Sequence, residues 1–113
     1  MANFVLLFSG GNTPASEAEL AAVTQAFVAW YGHLGSAIVD AGNPFTPIAK
    51  SIASNGTVSD GPVGTMASGY AIVSADSLDA AVELATSCPV LQAGGALSVY
   101  ETFQAPSHAA RTG

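Results

Sequence analysis

Positive charge is nearly missing from this chain. Across 113 residues only Lys50 and Arg111 oppose eight acids, leaving a net charge of -6. Nucleic acid is excluded as a partner, because a phosphate backbone is held by clustered Lys and Arg. An anionic membrane surface is disfavoured on the same ground. A small anionic ligand is still allowed, since backbone N–H groups at helix starts hold anions without cations. Cysteine is also scarce. Cys88 stands alone, so neither an intrachain disulfide nor a pair of metal-binding thiolates can form. Its position just before Pro89 reads as a small buried hydrophobe rather than a nucleophile. No stretch approaches the roughly 20 apolar residues of a membrane span, and the N-terminus lacks a basic, apolar, cleavable leader. A cytoplasmic location is therefore expected. Charge of either sign covers only 9% of the residues, against roughly 25% in an ordinary domain. So bare a surface implies that another subunit covers part of it.

What is present alternates between strand-like and helix-like pattern. Asn3–Phe8 is a continuous apolar run, short enough for a strand buried on both faces. Ser9-Gly10-Gly11-Asn12-Thr13-Pro14 stops it. That loop has neither the GxGxxG spacing nor the Lys-Ser/Thr ending of a phosphate loop. Ser16 and Glu19 form a capping box. Leu20, Val23, Phe27, Trp30 or Tyr31, Leu34 and Ile38 then make one helical stripe, weakened at Gly32 and Gly35. Gly42 is placed to cap this helix and Pro44 to end it. Phe45–Ala53 reads as a second strand, pushed toward an edge by Pro47. The turn Thr57–Gly64 follows, then a third strand over Met66–Ser74. Asp76 and Asp79 open a second helix along Leu78, Ala81, Val82 and Ala85, which Pro89 closes. Gly94-Gly95 leads into a last strand, Ala96–Phe103, and 104–113 has the composition of a mobile tail.

The resulting order is strand, helix, strand, strand, helix, strand. This is the βαββαβ of an α+β, ferredoxin-like domain over 1–103, a four-stranded antiparallel sheet with two helices on one face. Two helices cover only one face. The first strand is apolar on both, so a homodimer that pairs the helix-free faces is expected.

Trp30, the Gly35–Pro44 segment, Ser59-Asp60-Gly61-Pro62, Gly69-Tyr70, Ser77-Leu78-Asp79-Ala80-Ala81, Cys88-Pro89 and Val99-Tyr100-Glu101 together resemble the YCII-related, or DGPF-domain, proteins. The likeness extends to about Phe103. It implies a dimeric α/β barrel of ferredoxin-like subunits, some of whose relatives are cofactor-independent enzymes on small organic molecules, shuttling protons with a His and an Asp. The Asp corresponds to Asp60. The family's His falls where this chain has Phe27, its Phe after Asp-Gly-Pro is Val63, and its following charged residues are replaced by Gly64–Ser68.

His33 is the one histidine of the expected fold, His108 lying in the tail. It shares a helix face with Trp30 and is suited to proton exchange near neutral pH if Asp60 orients it; otherwise it is a solvent-facing helix residue. Trp30, Asn43, Ser59 and Tyr70 are candidate ligand contacts. Trp30 reads first as core and only then as a cleft wall, and Asn43 more often serves a turn than a ligand. A lone His without an acid at ligand spacing makes a metal site unexpected, and no cofactor is implied. Two functions follow: a cofactor-free enzyme using Asp60 with His33, or a non-catalytic homodimer that binds a small molecule or serves structure.

Overall fold

Alternation along the first strand sets the layers. The computed structural model describes residues 1–10 and 16–104. In β1 (Ala2–Ser9), Phe4, Leu6 and Phe8 are buried while Val5 and Leu7 are half-buried. Within the single chain the run is thus covered on one face. β5 (Ala67–Ala75) pairs antiparallel with β1, setting Val73, Ala71 and Gly69 beside Phe4, Leu6 and Phe8. β6 (Ala96–Glu101) pairs with the other edge of β1, bringing Val99 and Leu97 to the same face. β2 (Ile38–Asp40) closes the sheet outside β5. The result is a mixed α+β fold with a four-stranded antiparallel sheet in the order β2-β5-β1-β6.

Helical side chains pack on the Phe4–Leu6–Phe8 face. Trp30 and Leu34 come from α1 (Glu17–Leu34), Ala81 and Ala85 from α2 (Leu78–Ala85), and Val90 from the short α3 (Pro89–Gln92). Ser16 and Ser77 cap α1 and α2, their hydroxyl oxygens accepting from the N–H of Glu19 and Ala80 at 3.1 Å.

Three expectations are corrected. The first helix does not run to Gly42. It ends at Leu34, where Gly35 turns at φ 56° with its N–H on the Tyr31 carbonyl, and after a 3₁₀ turn the chain is already β2. Ile38 continued the apolar spacing of the helix, so its strand was hidden. The second main-sheet strand is consequently β2 rather than Phe45–Ala53. That segment supplies only β3 (Lys50–Ile52), which pairs with β4 (Val58–Asp60) as a separate two-stranded ribbon. Asp60 is the last residue of β4, and the turn of the ribbon lies at Ala53–Thr57. Third, Pro89 opens α3 instead of closing α2, since its missing N–H is harmless at a first helical position. The expected loop residues Gly11–Pro14 and tail residues 105–113 lie outside the described residues.

Between β2 and β3 the backbone is drawn hard against β5. Gly42, at φ 71°, lies so close that a Cβ there would sit 1.7 Å from the Tyr70 carbonyl oxygen. Pro44 bridges to Gly69, and the Phe45 N–H donates to the Ser68 carbonyl at 2.9 Å. A register shift between Ile38 and Asp40 sets Asp40 opposite Ile72. Its carboxylate then accepts from the Gly42 N–H at 2.8 Å and from the Tyr70 hydroxyl at 3.1 Å.

Gly42→Ala combines a backbone collision with a left-handed conformation. It should cost at least about 2 kcal/mol in urea unfolding. Gly32→Ala, in α1 with nothing within 4 Å of the added carbon, should instead stabilise by about 0.5–1 kcal/mol.

Candidate functional site

The pinned segment is one wall of a cleft of about 640 Å³. α1 supplies the facing wall, β5 and β1 the floor, and α3 one end, with Asn43 and Pro44 on the rim, Gly69 and Phe8 beneath and Val23, Phe27 and Tyr31 opposite. The cleft exists because α1 is anchored only by its later turns. Trp30 and Leu34 are its buried residues, whereas Leu20 and Val28 remain 55% and 62% exposed.

The aromatic wall is held from behind. Phe27 lies 6.1 Å from Phe8, 6.2 Å from Trp30 and 5.9 Å from Tyr31 between ring centroids, within the range of favourable aromatic pairs. Trp30 is itself core: it is 4% exposed, and its Nε1–H donates to the Leu84 carbonyl at 3.2 Å. The Tyr31 hydroxyl donates to the Ala41 carbonyl at 3.1 Å, tying α1 to the far wall.

No Asp, Glu, Lys, Arg or His is among the described residues lining this cleft. Among the described lining residues Tyr31 carries the ionisable side chain, while the Tyr70 side chain lies on the other face of the sheet with Asp40. Burial, then the neighbouring Cys88, raises the Tyr31 phenol above its ordinary value. The hydrogen bond to Asp40, with the charge of that carboxylate, raises Tyr70.

The sequence candidates are divided by the fold. Asn43 and Tyr70 line the cleft, and Trp30 stands behind its wall. Ser59 is exposed on the ribbon, opposite Ser51. Asp60 is on the ribbon too, its carboxylate 91% exposed and 2.6 Å from the Lys50 ammonium. His33 is exposed and lines a different depression with Met1, Ser74, Asp76 and Glu83. The ribbon leaves and rejoins the sheet at the Ala67 end of β5, while His33 sits beside its Ser74–Ala75 end. Eight residue steps at about 3.3 Å separate those ends by roughly 26 Å. Asp60 and His33 share neither a contact nor a cleft. Lys50 belongs to the ribbon and Glu101 to β6, so the two are not neighbours across one sheet. Among the described residues no three His, Cys, Asp or Glu side chains converge as a metal site, and no helix is long and apolar enough to cross a membrane.

Sequence reasoning missed Thr24, Ala26, Ser68 and Gln92 as cleft residues. The available signal was the apolar stripe of α1, which runs well beyond the single turn that Trp30 and Leu34 anchor. The chain matches no known family model and no curated protein.

Cys88 is fully buried, and burial raises its thiol above the ordinary 9.0. Native protein should therefore react with a disulfide reagent only as fast as it unfolds. A raised folded pKa gives stability that is whole below the unfolded value and lost as pH rises toward the folded one. Unfolding midpoints should fall above about pH 9, and Cys88→Ala should flatten that fall.

Proposed function

We propose that this protein is a YCII-related, ferredoxin-like subunit that works as a homodimer and binds a small organic molecule without catalysing its conversion. The observation that carries the binding reading is the cleft between α1 and the pinned 41–45 segment: concave, apolar, and within the roughly 300–1,000 Å³ of small-molecule sites. The observation against catalysis is the distribution of acids and bases. A proton-shuttling enzyme needs a group near neutral pKa within hydrogen-bond reach of its substrate. Here the described cleft walls offer no Asp, Glu, Lys, Arg or His, and the Tyr31 phenol is raised above its ordinary value. Asp60 spends its carboxylate on Lys50 in the ribbon, and His33 faces another depression.

The strand order β2-β5-β1-β6, with the ribbon inserted between the second and third main strands, supports the split βαβ reading. The dimer is supported by the helix-free face. Val5, Leu7 and Ile72 are half-buried there, and Tyr100 is 55% exposed. Such a contiguous apolar surface is rarely left in water.

Light scattering at micromolar concentration should give a dimer, and Ile72→Lys should give a folded monomer; a wild-type monomer would remove the dimeric reading. In a thermal-shift screen of small metabolites, any compound that raises Tm should raise it equally in wild type and Asp60→Asn. The substitution itself should move stability by less than about 0.5 kcal/mol, because the ion pair is exposed. A compound that stabilises wild type but not Asp60→Asn would put Asp60 in the site and favour the enzyme.

A further inference from the structure

Resting on that binding reading, we infer that the ligand of the cleft is an uncharged, mainly apolar molecule that presents one hydrogen-bonding group to the rim at Asn43. The charge of the walls decides this. An anion entering the cleft meets no Lys or Arg among the described lining residues, and a cation meets no carboxylate. Bringing an ion against apolar walls without a partner costs more than apolar contact returns.

The polar groups are few and unequal. The Tyr31 hydroxyl is committed to the Ala41 carbonyl, and the Tyr70 hydroxyl lies on the other face of the sheet, against Asp40. Asn43 is exposed at the rim, and its carboxamide makes no hydrogen bond to a described side chain or backbone group. It can donate and accept at once, so it suits a hydroxyl or carbonyl on an otherwise apolar body. Phe8, Val23, Phe27 and Val90 make most of the remaining lining apolar, with Thr24, Ser68 and Gln92 as its other polar side chains. The cleft opens on the helix side of the sheet, away from the face assigned to pairing, so a ligand rather than a second copy is its occupant.

Three naphthalenes of similar size separate charge from shape: 1-naphthalenemethanol, 1-naphthalenesulfonate and 1-naphthalenemethylamine, titrated by calorimetry with amide shifts to report location. The neutral probe should bind at least roughly tenfold tighter than either ion and shift amides around Ala22–Phe27. The amine is the stringent comparison, since a net charge of -6 attracts it in low salt. An ion that binds the cleft as well as the alcohol overturns the inference and leaves the binding reading standing. If no probe moves those amides, the binding reading fails and the inference falls with it. Thr24→Trp and Ala26→Phe each fill the cleft from α1 and should weaken the neutral probe at least roughly tenfold without lowering Tm; unchanged affinity in both folded variants overturns the site. Thr24→Glu should reverse the preference in favour of the amine. Probe binding that dissociates a dimer would make the cleft an interface and overturn the proposal.

Discussion

The close approach of Gly42 to the Tyr70 carbonyl is the constraint on which the rest depends. No side chain fits between those two backbones, so the segment after β2 is drawn onto β5 instead of arching into solvent. Asp40 holds it there from the open face of the sheet, bridging the Gly42 N–H and the Tyr70 hydroxyl. Once the segment is fixed, Asn43 and Pro44 form a wall that α1 faces without touching along its length. The Tyr31–Ala41 hydrogen bond sets the separation. A cavity therefore survives beside a core in which Ala71, Ala81 and Ala85 pack among Phe4, Leu6 and Trp30.

Charge is distributed in the opposite sense. The one lysine is spent on Asp60 in a ribbon outside the main sheet, and His33 is set at the other end of β5. The concave surface is left without Asp, Glu, Lys, Arg or His among its described lining residues. Shape and charge thus point the same way, toward the proposed binding of a neutral molecule. The stretches that resemble proton-shuttling proteins include the cleft residues Asn43, Pro44 and Gly69, but where those proteins carry their His this chain sets Phe27 in the cleft wall.

Much of the architecture could be read from the residues because local signals agreed with tertiary ones. The apolar run at Asn3–Phe8, the Ser16 cap and the alternation at Ala96–Phe103 each had one sensible reading. Ile38–Asp40 did not. Three residues are too few to show a strand period, and Ile38 falls on the helical stripe of α1; only Gly35 marks the break. Gly42 was legible as a left-handed glycine, but not as the point where two backbones meet, since that depends on a strand 28 positions away. Asp60 drew attention because Gly and Pro follow it. Its neighbour Lys50 was visible only through the ribbon register. The cleft was least legible, because an apolar helical stripe looks the same whether it meets a core or an empty volume.

Native-state hydrogen exchange at the Phe45 amide tests the pinned wall most directly. That N–H donates to the Ser68 carbonyl where the segment joins β5, so its exchange reports whether the wall is part of the sheet. It should exchange with the slow amides of the β1–β5 ladder and orders of magnitude more slowly than those of the β3–β4 ribbon. A Phe45 amide exchanging as fast as the ribbon would mean that the wall opens freely, and the cleft would lose the rigidity on which its selectivity rests.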